Sequence, residues 1–232
     1  MVKISTQLDQ LDKAEKYSEE FERVQAQVAE LNQQRRRSYD DVKVLKRKTA
    51  TTLVEAGRVY HTEKQPEGAI KLWTEAAALD ASNEPSRVLL ASHYASEKQL
   101  KLALPKLREL VAINPNNPLH YEKLGLMQAA SGDLAGAERT FVAMTKVPKP
   151  ARGLRMLAKF YLNTNREAPR ALALAKQSVQ QEPNADGHFV HGWALAKNKQ
   201  FAAARTALQR AIELDKSNKL YQQLFKSLPP GT

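Results

Sequence analysis

The sequence predicts an all-α protein in which five helical hairpins follow a long N-terminal helix, and three observations lead to this prediction. Alanine, leucine, glutamine and lysine are frequent while aromatic residues make up only 6%, a composition that favours helices. Five consecutive segments of 33 to 34 residues align with one another at the same small and bulky positions. Residues 1–56 contain neither glycine nor proline, so no helix breaker interrupts them.

A pattern of small and bulky residues defines the hairpins. The five repeats start at Ala50, Glu84, Pro118, Ala151 and Ala185. Position 8 is always small (Gly57, Ala91, Gly125, Ala158 and Gly192), and position 20 is always alanine (Ala69, Ala103, Ala137, Ala171 after a one-residue insertion, and Ala204). Position 24 is bulky in Trp73, Leu107, Phe141 and Leu208, with Ala175 as the exception. The small residues let two antiparallel helices approach closely, and the bulky ones fill the space beside them.

At these positions the chain resembles the tetratricopeptide repeat (TPR) family over about residues 50–217. The resemblance implies a right-handed α-solenoid of five TPR-type hairpins. Residues 218–232 are expected to form a C-terminal capping helix and tail, because such arrays need a terminal helix to cover their last apolar face. The repeat-end proline that is usual in the family is replaced by Ala81 and Lys216, which affects local turns only.

Residues 1–49 form a separate charged segment with coiled-coil character. Apolar residues recur there at alternating steps of three and four, the spacing of a coiled-coil seam. The residues predicted to form an oligomerisation seam are Tyr17, Phe21, Val24, Val28 and Leu31. Two architectures fit. Either one helix runs continuously into the first repeat and self-associates, or Ser38 and Asp41 cap a new helix and the segment folds back on the solenoid.

No constellation of residues suggests catalysis. The chain has no cysteine, which excludes disulfides and thiolate chemistry, and no glycine-rich phosphate loop occurs. His188 and His191 are one helical turn apart, a spacing that can hold a metal. However, they occupy repeat positions 4 and 7, which normally face the hairpin interior, so packed or hydrogen-bonded histidines are expected. The sequence therefore predicts a non-enzymatic protein with no cofactor and no metal.

The predicted binding surface is the concave groove. In the TPR family that face is lined mainly by positions 2, 5, 9, 12 and 13 of the first helix of each repeat, and the resemblance implies the same here. The predicted partner-binding residues are Arg152, Arg155, Lys159, Phe189, Trp193 and Lys197. Two aromatics beside cations would suit a protein or peptide ligand with an apolar anchor and acidic groups. The alternative is that Phe189 and Trp193 pack against the neighbouring repeat while the cations are solvated.

Charge leaves two further functions open. Residues 149–232 carry 14 basic and 5 acidic side chains, a net charge of +9 within +11 for the chain. This surplus would suit nucleic-acid binding. That function is less favoured than peptide binding, because basic charge alone is unspecific. A structural scaffold that assembles with copies of itself is the other alternative. No apolar run reaches the ~20 residues that span a bilayer. Localisation stays open: cytoplasmic if the chain is full-length, periplasmic if a leader or anchor was removed.

Overall fold

A computed structural model describes residues 2–229 of the chain, with side chains from residue 22 onward. Within that range the protein is all-α, and its contacts divide it into two compact units, residues 1–83 and 84–232. The first unit holds α1 (Val2–Thr62) and α2 (Pro66–Leu79). The second holds α3 (Glu84–Ser96), α4 (Leu100–Ile113), α5 (Pro118–Ala130), α6 (Leu134–Met144), α7 (Ala151–Asn163), α8 (Ala168–Gln181), α9 (Ala185–Lys197), α10 (Phe201–Leu214) and α11 (Lys219–Ser227).

The long N-terminal helix is continuous with the first helix of the first repeat. Helix α1 has 61 residues, a length of about 90 Å at a rise of 1.5 Å per residue. It passes through Ser38 and Asp41 without a break, so the alternative in which these residues cap a separate, folded-back helix is wrong. The C-terminal part of α1 packs against α2, where the indole Nε1 of Trp73 donates a hydrogen bond to the carbonyl oxygen of Val54 at 3.2 Å.

In the second unit the hairpins stack in chain order as a TPR-like solenoid. Helices α3 and α4, α5 and α6, α7 and α8, and α9 and α10 pair as antiparallel hairpins, and each second helix contacts the next first helix. Capping helix α11 packs on α10, as the sequence predicts. Its Tyr221 is buried, and the ring stacks on that of Phe189 with 4.7 Å between the centroids.

The repeat pattern corresponds directly to the hairpin interiors. All five position-20 alanines have no exposed surface, and all five position-24 residues are buried. In the repeats where position 8 is glycine, the position-24 side chain lies over it. A Cβ at Gly125 would come within 2.6 Å of the Phe141 ring, and one at Gly192 within 2.7 Å of Leu208 Cγ. The small residue at position 8 therefore makes room for the bulky residue at position 24.

In every repeat the residue at position 15, just after the first helix, has a left-handed backbone conformation. The five residues there have φ values from +52° to +86°: Lys64, Lys98, Gly132, Asn165 and Lys199. In each case the next residue's N–H donates to the carbonyl five residues back, as from Gln200 to Leu195 at 3.0 Å. This pattern is that of the Schellman motif, which satisfies carbonyls at a helix end and reverses the chain.

Candidate functional site

The sequence predicts that a groove is lined by the first helix of each hairpin. In the second unit these first helices are α3, α5, α7 and α9. We call the surface that they form the groove face. Repeat positions 2, 5 and 9 of neighbouring helices approach one another on this face, since ion pairs join α5 to α7 and α7 to α9. Side chains more than 25 residues apart in sequence thus share one surface.

The predicted cations on α7 are paired with carboxylates of the adjacent repeats. Arg152 Nε lies 2.6 Å from an oxygen of Glu122 on α5. On the other side Arg155 Nε and Lys159 Nζ contact the two oxygens of Asp186 on α9, at 2.9 and 2.7 Å. The groove face is therefore less positive at α7 than the sequence suggests, because three of its cations have carboxylate partners.

Arg155 is the most enclosed of these cations, with a side chain only 9% exposed. Besides Asp186 it has Glu182 at 3.8 Å, and its Nη1 donates to the hydroxyl of Ser178 at 3.5 Å. That hydroxyl in turn donates to the carbonyl oxygen of Ala151 at 2.8 Å. Arg155 thus ties α7 to α8 and α9, and its charge is satisfied within the protein.

The two predicted aromatics differ in accessibility. Phe189 is only 5% exposed because it lies between Trp193 and Tyr221, so its ring cannot serve as a free anchor for a ligand. Trp193 is half-buried, and its ring centroid lies 6.0 Å from that of Phe189. Lys197 is exposed, and its Nζ donates to Asn165 Oδ1 at 2.7 Å. The binding role of the six residues stays a prediction, with Arg152, Trp193 and Lys197 the ones that a ligand could reach most easily.

The Tyr221 hydroxyl adjoins the same cluster. Burial raises the pKa of the phenol, and the negative charges of Asp186 and Asp215 raise it further. The residue that covers Phe189 is therefore a neutral, packed tyrosine at physiological pH.

An apolar cavity that the sequence reasoning missed lies between α3 and α5, with α4 behind it. Its volume is about 370 Å³. It is lined by Val88, Ala91, Ser92 and Ala95 of α3, Leu107 and Leu110 of α4, and Lys123, Leu126 and Met127 of α5. Leu107 and Leu110 form a buried wall, whereas Leu126 is 50% exposed. The available signal was the short side chains at positions 5, 8, 9 and 12 of the second repeat, which leave space where larger residues would fill it.

Within residues 2–229 no helix combines the length and apolar character needed to cross a membrane. Across the side chains that the structure describes, no group of three or more histidine, aspartate or glutamate residues is arranged to hold a metal ion.

Comparison with known proteins identifies the repeat. Residues 185–218, the fifth hairpin, match the tetratricopeptide repeat family model. The fold is also that of solved TPR structures. YrrB, described as a TPR protein with an unusual peptide-binding site, aligns with a TM-score of 0.56 and 16% identity over 75% of this chain and 90% of that chain. The chain therefore carries a tetratricopeptide repeat within a TPR-like fold. The Pseudomonas aeruginosa protein pilF aligns with this TPR protein at a TM-score of 0.60 and 17% identity, over 77% of this chain and 82% of that one.

Among curated proteins, this TPR protein is similar to the heat shock protein STI1 of Saccharomyces cerevisiae. The two are 33% identical over 96 residues, which is 40% of this chain. The matched stretch spans only 16% of the length of STI1, so the likeness concerns a repeat segment and not the whole yeast protein. TPR proteins are typically protein–protein interaction scaffolds, and the family is generally non-catalytic.

Proposed function

We propose that this TPR protein is a non-enzymatic adaptor that binds a peptide or partner segment on its groove face. The observation that carries the proposal is the cavity between α3 and α5. At about 370 Å³ it lies within the usual range of ligand pockets, roughly 300–1,000 Å³. Its aliphatic lining suits one bulky apolar side chain of the ligand. The description of YrrB as a peptide-binding TPR protein supports the same use of the fold.

The ligand is expected to carry acidic groups beside its apolar anchor. Lys123 is the one charged residue that lines the cavity, and it is exposed. Further along the groove face, Arg152 and Lys197 keep exposed surface beside the half-buried Trp193. A nucleic-acid ligand is less favoured, because Arg155 and Lys159 are largely enclosed and share the carboxylate of Asp186 within the protein.

Replacing Leu126 by glutamate should weaken peptide binding by at least about tenfold, because it puts a carboxylate at the mouth of an apolar cavity. Peptides would first be selected from a displayed library with the wild-type protein, and their affinities then measured by fluorescence anisotropy. Leu102→Glu is the matched control, since Leu102 on α4 is also 50% exposed but does not line the cavity. If Leu126→Glu and Leu102→Glu bind the selected peptides as well as wild type does, the cavity is not the binding site.

We also propose that α1 associates with α1 of a second copy. All described side chains of residues 22–49 are exposed. Among them Val24, Val28 and Leu31 are 44%, 50% and 55% exposed, at the steps of four and three that a coiled-coil seam requires. An apolar stripe on an otherwise polar helix calls for a partner helix with the same period, and another copy of the chain supplies one. Tyr17 and Phe21 of the predicted seam lie outside the described side chains.

The molar mass of the full chain tests this association. Wild type should sediment at a multiple of 26.0 kDa, whereas Val28→Glu combined with Leu31→Glu should give monomers, because two carboxylates would face their counterparts across the seam. The control adds the same charge on the opposite face, with Ala29→Glu and Gln33→Glu, and should leave the oligomer intact. A wild-type protein that stays monomeric over a wide concentration range would rule the association out.

A further inference from the structure

A second pocket lies away from the groove face, in the last two hairpins. It is formed between the second helices α8 and α10, with the first helix α9 beneath them, and has a volume of about 720 Å³. Leu172, Leu195 and Ala207 give it an apolar floor. No residue of this pocket lines the cavity between α3 and α5, so the two sites are separate surfaces of the second unit.

Four side chains that carry or can accept a positive charge line this pocket, and no carboxylate does. They come from three helices: Lys176 on α8, His188 and His191 on α9, and Arg210 on α10. Lys176 and Arg210 are exposed, whereas the two histidines are half-buried one turn apart. Arg210 also pairs with Glu213 on its own helix at 2.9 Å. Both partners of that pair are about half exposed, so a competing anion can displace it at little cost.

Burial and neighbouring positive charges favour the neutral form of both histidines. Burial lowers the pKa of His188, and the Arg210 guanidinium lowers it further. Burial also lowers the pKa of His191, with added repulsion from His188 and Lys176. A negative charge that enters the pocket opposes both effects and raises the pKa of the histidines, because an anion favours the imidazolium form. Anion binding is therefore coupled to uptake of protons, and it should strengthen as the pH falls through the range in which the histidines titrate.

We propose that this pocket binds a doubly charged oxyanion of the phosphate-monoester type. Lys176 and Arg210 meet its charge at the rim, His188 and His191 donate to it from below, and its organic group rests on Leu172, Leu195 and Ala207. Two fixed cations and two protonatable imidazoles carry more positive charge than a ligand with one carboxylate would neutralise. A doubly charged anion therefore suits the pocket better. They also disfavour a metal ion, since the fixed cations would repel it. This proposal does not depend on the function proposed for the groove face.

To test this proposal, phenyl phosphate is titrated into the full chain. The imidazole resonances of His188 and His191 are followed by NMR. Both resonances are expected to move saturably toward the protonated position. Lys176→Gln and Arg210→Gln should each weaken binding by about tenfold, because each removes a charge-assisted hydrogen bond. Arg108→Gln, which removes an exposed positive charge from α4, is the matched control and should leave the affinity unchanged.

Inorganic sulfate isolates the contribution of the histidines, because its own charge does not change near neutral pH while that of phosphate does. Sulfate should bind about tenfold more tightly near pH ~6 than near pH ~8, and this difference should shrink when both histidines are replaced by glutamine. The proposal is overturned if neither resonance moves saturably, if the Lys176 and Arg210 variants bind like wild type, or if sulfate binding ignores pH.

A phosphorylated side chain and a small phosphate ester present the same chemistry to this pocket. A peptide that contains phosphotyrosine is compared with phenyl phosphate to separate them. Binding of the peptide more than about tenfold tighter assigns the pocket to a phosphorylated protein segment, and equal binding assigns it to a small ester. Either result supports the site, whereas no binding of both ligands contradicts it.

Discussion

Replacing Gly153 by alanine is expected to lower the free energy of unfolding by about 2 kcal/mol. Gly153 lies in the first turn of α7, where the helix crosses the end of α6. A Cβ there would come within 2.5 Å of the Met144 carbonyl oxygen and 2.8 Å of the Thr145 nitrogen. Those atoms belong to the backbone and cannot rotate away, so α7 must move. The overlap outweighs the gain of up to ~1 kcal/mol that alanine normally brings to a helix.

Gly187 provides the matched control because it occupies the same repeat position in the next hairpin. A Cβ at Gly187 would meet its nearest neighbours at 3.3 Å, namely Asn184 Oδ1 and the Glu182 carbonyl oxygen. A shift of a few tenths of an ångström accommodates that contact, so Gly187→Ala should stay within ~1 kcal/mol of wild type. Urea unfolding followed by circular dichroism compares the two variants. Equal midpoints would show that α7 can shift away from α6 without loss of packing.

Replacing Asp186 by asparagine is expected to destabilise the protein by about 2 kcal/mol, because it removes the carboxylate that Arg155 and Lys159 share. Taking one partner from a buried ion pair usually costs roughly 3–5 kcal/mol. The expected loss is smaller here for two reasons. The Asp186 side chain is 38% exposed, and the Glu182 carboxylate stays 3.8 Å from Arg155. The measurement is again the urea midpoint of the full chain.

Glu213→Gln is the control for Asp186→Asn, since it also neutralises one carboxylate of an ion pair. Arg210 and Glu213 are one turn apart on α10 and both about half exposed, and such surface pairs contribute little. The urea unfolding curve of Glu213→Gln should therefore overlay that of wild type. If Asp186→Asn unfolds at the same midpoint as Glu213→Gln, Glu182 alone suffices to balance Arg155.

The hairpins were predictable because their packing depends on residues that recur at fixed positions. Alanine at position 20 and a small residue at position 8 occur in all five repeats of the sequence. In the structure all ten of these residues are buried. The position-24 residue Ala175, the exception in the sequence, is buried like the others at 1% exposure. The repeat length itself brings these positions together, so the family and the fold follow from local spacing.

The candidate site was predictable only in part. Repeat position placed Arg152, Arg155 and Lys159 on the groove face, and the ion pairs to α5 and α9 are consistent with that placement. Repeat position did not show that these cations would find carboxylates 27 to 31 residues away, nor that Phe189 would be covered by Tyr221 of the capping helix. Those contacts depend on the distance between neighbouring hairpins.

By itself the sequence determined the helices, their pairing into hairpins and the register of small and bulky residues, because each is set within one repeat of about 34 residues. It did not determine whether α1 is broken, since Ser38 and Asp41 are compatible with both a cap and a helix interior. Only the tertiary structure decided which surfaces stay open, namely the cavity between α3 and α5 and the pocket between α8 and α10. An open space exists where two neighbouring repeats fail to fill the gap between them, and that depends on side chains from three helices at once.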